Sequence, residues 1–203
     1  EKGTIVFAQS TLQCPHGVNT VYCGAYDSVA WGIGEDLFTW RWKDGGGINY
    51  EAGQLAESYT LSDDLSTLSV KIRSGVQFHK GYGEMTADDV VHSYNKTNPM
   101  ITPHSIAPSA ANFASLFGKN PAVADGSNVN FVFENFDVAW VNNLMNTGGF
   151  VGVVIHSKKA FDEHDETWAK ENVVATGPYE VESWVRDDTA VFNAWDGHWE
   201  FPA

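Results

Sequence analysis

Thr67-Leu68-Ser69-Val70-Lys71-Ile72-Arg73, followed further along by Met85-Thr86-Ala87-Asp88-Asp89-Val90-Val91-His92-Ser93-Tyr94, sets down a strand and then a helix. Leu68, Val70 and Ile72 alternate with Ser69, Lys71 and Arg73, the period of a half-buried strand. Thr86 with Asp89 three residues later is a capping-box variant, so a helix opens there. It runs through Val90, Val91 and Tyr94 and stops before Pro99.

The flanks carry the same mixture. Ile5 to Gln9 reads as a buried strand, followed by a long loop from Ser10 to about Tyr26. Ser28 to Trp40 reads as a short helix ending in Leu37 and Phe38, and Gly45-Gly46-Gly47 as a turn. Downstream, a helix is expected near Phe113 to Phe117 and a turn at Asp125-Gly126. A strand follows on Val129, Phe131 and Phe133, then a helix from Phe136 to Met145. Phe150 to Ile155 reads as an apolar strand, and Ser157 caps a charged helix reaching Trp168. Tyr179, Val181 and Ser183 alternate with Glu180 and Glu182, and Arg186-Asp187-Asp188 turns the chain into Thr189 to Ala194, which predicts a hairpin. No internal repeat is visible. The fold class is α and β mixed, with neither dominant.

Composition narrows the function. The 203 residues carry 12 Lys+Arg against 26 Asp+Glu, a net charge of −14, which argues against a phosphate-binding surface for nucleic acid. An anionic membrane surface is disfavoured for the same reason, and no run of about 20 apolar residues predicts a membrane span. A 43% hydrophobic content supports a core rather than a disordered chain. Eight Trp and twelve Phe exceed ordinary needs, and some are candidate ligand-contact surface.

Signals for catalysis are weak. There is no Gly-x-Ser-x-Gly elbow, no His-Glu-x-x-His pair and no phosphate loop ending in Gly-Lys-Ser/Thr. Gly32-Ile33-Gly34 lacks the third glycine of a nucleotide site. Asp162-Glu163-His164-Asp165-Glu166 would point around a helix axis, which reads as a solvated face rather than a metal site. Asn95-Lys96-Thr97 is a glycosylation sequon on an expected helix and reads as incidental. No cofactor, metal or enzymatic activity is expected.

Cys14 and Cys23 are the two cysteines. They read as a disulfide, as two free thiols, or as half a metal site, the last poorly supported because zinc wants four ligands and His16 is the only imidazole nearby. A disulfide would close this short loop at a gain of roughly 2.7 kcal/mol and would imply an oxidising compartment. The start at Glu1, running straight into Thr4-Ile5-Val6-Phe7-Ala8, is how a mature exported protein would begin.

Three segments in order are not generic. They are Leu55-Ala56-Glu57-Ser58-Tyr59 through Leu61-Ser62-Asp63-Asp64 to Phe78-His79; Met85 to Tyr94; and Ala175-Thr176-Gly177-Pro178-Tyr179-Glu180-Val181-Glu182-Ser183-Trp184 ahead of Trp199. Together they resemble the bacterial extracellular solute-binding proteins of family 5, which serve oligopeptide, dipeptide and nickel ABC importers. Lys80 stands where that family usually has Asp, Ala175 replaces a usual Gly, and the loop from Pro15 to Leu37 is lengthened.

The resemblance implies a periplasmic-binding-protein-like lobe, a mixed sheet flanked by helices with an inserted smaller α+β subdomain. It implies one subdomain from 1–38 plus 157–203 and another from 39–156. Relatives run to more than twice this length, so the resemblance implies an N-terminal lobe without its second lobe. It implies a periplasmic or extracellular protein that hands peptides or a related small solute to an ABC importer permease. By position, Asn19, Thr20, Tyr22 and Tyr26 in the first loop and Asn146 and Phe150 before the Val151 strand would face the ligand cleft. The alternative is an oligosaccharide-binding protein using exposed tryptophans from among Trp31, Trp40, Trp42, Trp140, Trp184, Trp195 and Trp199.

Overall fold

The computed structural model describes residues 4–6, 32–103, 105, 107, 110–140, 153–169, 172–185 and 187–201. Its centre is a four-stranded antiparallel sheet of β3 (Ala56–Leu61), β4 (Thr67–Ile72), β8 (Asn128–Val132) and β7 (Val123–Asp125), in the order β3-β4-β8-β7. Register explains the core. Leu68 lies opposite Phe131 and Val70 opposite Val129, so the apolar residues of both strands share one face. All four are buried. Gly126 takes the positive φ (59°) that the tight β7–β8 turn requires.

Two helices cover that face. Helix α1 (Ala87–Thr97) sends Tyr94 against Phe131, ring centres 4.9 Å apart, and against Phe113 of α2 (Ala110–Phe117) at 5.7 Å. Phe117 stacks on Phe133. The start of α1 is organised by one carboxylate. Asp89 Oδ2 accepts the backbone N–H and the hydroxyl of Thr86, each at 2.8 Å. Asp89 Oδ1 accepts the N–H of Lys158 at 2.7 Å, so the same side chain also seats α3 (Lys158–Glu163), which Ser157 caps through Ala160 N–H. On α1, the Asn95 amide bonds both the N–H and the carbonyl of Ala122, so the sequon asparagine serves the junction with β7.

A second, smaller core joins Ile33, Val154, Val173 and Ala175, with Val181 and Phe192 packed on it. Here three buried extended segments meet. Ile155 N–H bonds the Glu35 carbonyl, Ser157 N–H the Val174 carbonyl, and Gly177 N–H the Ile33 carbonyl, at 3.0, 3.2 and 3.0 Å. The chain then forms the hairpin of β9 (Tyr179–Val185) and β10 (Thr189–Ala194) expected from its alternation. Among the described residues there are two further two-stranded pairs: β1 (Phe38–Trp42) with β2 (Ile48–Gly53), and β5 (Gln77–Phe78) with β6 (Gly83–Glu84).

Several expectations need correction. Leu37 and Phe38 do not end a helix. Phe38 begins β1, whose Phe-Thr-Trp-Arg-Trp run suits a pleated surface, and Gly45-Gly46-Gly47, all at positive φ, turn it into β2. Residues 153–155 are buried but form no strand ladder, because their described bonds go singly to Glu35 and to a side chain. The charged helix breaks at His164. Asp165 accepts the Trp168 N–H at 2.8 Å and caps a separate α4 (Glu166–Ala169). The helix expected from Phe136 is not yet formed at Asp137, whose carboxylate instead takes the Ala139 N–H; residues 141–145 lie outside the described residues. Ile5 and Val6 are exposed and unpaired by any described strand, so burial fails there, and residues 7–9 lie outside the described residues. Among the described residues no helix is long and apolar enough to cross a membrane.

Candidate functional site

The six residues expected at the ligand cleft, Asn19, Thr20, Tyr22, Tyr26, Asn146 and Phe150, lie outside the described residues, as do Cys14 and Cys23. What the structure describes is the chain that follows each of the two segments carrying those expected residues: Gly32 to Phe38 after the first and Val153 to Ser157 after the second.

Two adjacent acids join these two stretches. Glu35 and Asp36 sit in an otherwise apolar stretch, and both are buried. Glu35 Oε1 accepts Gln54 Nε2–H, His198 Nε2–H and Trp199 Nε1–H, each at 3.2 Å. Asp36 divides its oxygens. Oδ1 accepts the Leu37 N–H at 2.7 Å and the Tyr94 hydroxyl at 3.1 Å, while Oδ2 accepts the Val153 N–H at 2.9 Å. Burial pushes the Asp36 carboxyl up to about 8 against the pull of those hydrogen bonds. Burial, with the facing Asp36, also raises the Tyr94 phenol.

The C-terminal end closes over Glu35. His198 Nδ1 accepts the N–H groups of Glu200 and Phe201 at 3.2 and 2.8 Å, which places its proton on Nε2, toward Glu35. Arg73 lies 4.2 Å over the Trp199 ring, and Arg41 pairs with Glu200 at 2.9 Å. Nothing in the periodicity separates Glu35 and Asp36 from the many exposed acids. The signal available was their place inside the apolar Ile33 to Phe38 run.

The tryptophans are largely spent on packing. Trp140 is buried edge-on to Phe38 and Tyr59, Trp195 meets His79 edge-on, Trp184 packs on Phe192, and Trp199 lies under Arg73. Trp42 is 81% exposed and Trp40 39%, and Trp31 lies outside the described residues. The oligosaccharide reading is therefore not favoured. Asp162 to Asp165 are exposed, with Lys158 paired to Asp162 and His164 stacked on Trp168. No group of three or more His, Cys, Asp or Glu among the described residues is placed to hold a metal ion.

The model of the bacterial extracellular solute-binding proteins, family 5 Middle, matches residues 52–202. The dipeptide-binding protein of Escherichia coli K12 is 25% identical over 160 residues, covering 71% of this chain and 29% of that protein. Two solved structures share the fold. One is MoaA of A. tumefaciens R10 in complex with mannopinic acid, with TM-score 0.71 and 24% identity over 95% of this chain and 36% of that one. The other is a dipeptide-binding protein of Pseudoalteromonas sp. SM9913 with Met-Leu, with TM-score 0.70 and 19% identity over 95% of this chain and 39% of that one. The chain spans less than a third of the length of the E. coli protein it matches.

Proposed function

The chain belongs to the bacterial extracellular solute-binding proteins of family 5, and from that premise we propose that it supplies one wall of a receptor that delivers peptides or a related small solute to an ABC importer. The observation that carries this is the extent of the family match, which takes in the central sheet, α1, the extended segments around Ile155 and Val174, and the β9–β10 hairpin. The names of the relatives support a peptide or similarly sized solute.

The division into 1–38 plus 157–203 and 39–156 is part of the proposal, and the two units share both cores: Val154 joins the small one, and Leu37, Phe38, Ala160 and Val174 join the large one. The sheet and helices α1 and α2 fall in the second unit, and Ile33, Val173, Ala175 and the last hairpin fall in the first. In this reading Asn19, Thr20, Tyr22, Tyr26, Asn146 and Phe150 face the solute, main-chain groups hold a peptide, and roomier spaces take its side chains. Export is part of the proposal, with a Cys14–Cys23 disulfide closing the first loop. The permease is the macromolecular partner.

A micromolar ligand corresponds to about −8.2 kcal/mol, so half the contacts would hold roughly −4, a millimolar affinity. The test is an NMR titration of this chain with Met-Leu, an opine, an oligosaccharide and a nickel chelate, each to millimolar concentration. Saturable shifts with the dipeptide alone support the reading. Shifts with the oligosaccharide and none with the dipeptide overturn it.

A further inference from the structure

We propose that His198 is a pH-sensitive latch: its neutral imidazole holds the bend at residues 199–201 closed over Glu35, and a second proton on the ring releases that bend. Nδ1 accepts the N–H groups of Glu200 and Phe201 at 3.2 and 2.8 Å, while Nε2 donates to Glu35 Oε1 at 3.2 Å. Only the neutral ring with its proton on Nε2 serves all three contacts. His198 and Glu35 are both buried, and the Phe201 ring lies parallel to the imidazole with ring centres 5.5 Å apart.

No single protonation state of this ring satisfies every neighbour. With the imidazole neutral, the side chains that donate to the Glu35 carboxylate are the Gln54 amide, His198 and the Trp199 indole, and none of them is charged. A buried carboxylate without a counter-charge is costly. A second proton makes His198 that counter-charge. The proton must sit on Nδ1, where it faces two N–H donors that then lose their acceptor. One imidazole thus exchanges the closed bend for an ion pair with Glu35. The charges around it come from several elements. His79, in the turn after β5, is near enough for each imidazole to disfavour a charge on the other. Arg73, just past β4, lies over the Trp199 ring and donates its Nε–H to the Gln54 carbonyl. Arg41 of β1 holds Glu200 at 2.9 Å, and Asp196 is an exposed acid on the same segment as His198.

The test follows the full chain by NMR from about pH 8 to about pH 5, the range in which histidine ordinarily changes charge. It reads the protonation of the two His198 ring nitrogens and the amide protection factors of Glu200 and Phe201, with Leu68 and Val90 as core references. At the upper pH the ring proton is expected on Nε2. Protection at Glu200 and Phe201 is expected to fall by about tenfold as Nδ1 gains its proton, at the same midpoint and with the references unchanged. His198→Gln keeps an acceptor and a donor but cannot take up the charge, so its protection at residues 200 and 201 is expected to stay level across the range. Glu35→Gln removes the carboxylate that favours the charged ring, so release is expected at lower pH. A ring proton on Nδ1 at the upper pH overturns the proposal, as does full protection at residues 200 and 201 once Nδ1 is protonated. Release at an unchanged pH in either variant overturns it too, and so does a parallel loss at Leu68 and Val90, which would mark general unfolding. Should a variant fail to fold, the ring and amide readings on the wild type decide alone.

Discussion

The buried imidazole of His79 donates through Nε2 to the carbonyl of Gly177, 2.8 Å away and 98 residues further along the chain. The His79 N–H bonds the Ala175 carbonyl beside it, so one residue stitches the turn after β5 to the segment that leads into the last hairpin. Gly177 is there because nothing larger fits. A Cβ at that position would lie 2.3 Å from the Gly32 carbonyl oxygen and 2.7 Å from Ile33. Those contacts are backbone and cannot rotate away. Gly177→Ala is expected to destabilise the fold by about 2–4 kcal/mol, at or just above the usual range for overpacking, measured as a lower urea midpoint at constant slope.

Stability is expected to peak near pH 6.5. Burial holds His79 and His92 down to about 4, so between pH 4 and 6.5 their unfolded forms carry protons that the folded forms lack, and stability falls as pH drops. Asp36 works in the other direction. From its ordinary 3.8 up to about 8 the folded carboxyl keeps a proton that the unfolded one has lost, so stability falls as pH rises. Below 6.5 two histidines outweigh one aspartate, and above it Asp36 acts alone, each limb sloping by up to about 1.4 kcal/mol per pH unit. Chemical denaturation at a series of pH values checks the dome. His79→Gln with His92→Gln should remove the acid limb and leave the alkaline one.

The closure of the C-terminal end should depend on His198 rather than on the nearby ion pair. His198→Ala removes the acceptor for two backbone N–H groups and the donor to buried Glu35. A loss of about 1–3 kcal/mol is expected, with faster proteolysis near Phe201. Arg41 and Glu200 are paired but partly exposed, so Arg41→Ala should cost about 0–1 kcal/mol and less in high salt. Equal losses from the two substitutions would contradict this ranking.

Lys80 holds a φ of 57°, a left-handed conformation that a lysine side chain disfavours. Lys80→Gly is expected to raise stability by about 0.5–1 kcal/mol, seen as a higher melting temperature with the His79–Gly177 bond intact. A lower melting temperature would mean that the Lys80 stem contributes more packing than its backbone costs.

Local chemistry was legible in the chain. The alternation of Leu68, Val70 and Ile72, the Thr86 and Asp89 pairing, the Asp125-Gly126 turn and the β9–β10 hairpin each depend on neighbours a few residues apart, and each appears where its pattern stands. The three quoted segments that suggested the family lie in these same elements, so the fold followed from them. The six residues proposed to face the solute carry no comparable pattern, and their assignment came from position within the family alone.

Sequence patterning thus accounts for the two inner strands of the central sheet, β4 and β8, for its covering helices and for the family, while the outer strands β3 and β7 were not read from it. Long-range packing accounts for the rest. Phe38 joins a strand because β2 pairs with it, residues 153–155 run beside Glu35 and Asp36 without entering a ladder, and Asp165 breaks a helix that its neighbours would have continued. Above all, the same carboxylate chemistry that is solvated at Asp162 is buried and bonded at Asp36. Burial is a property of what surrounds a residue after folding, and partners 58 and 117 residues away leave no periodic trace in the chain that carries them.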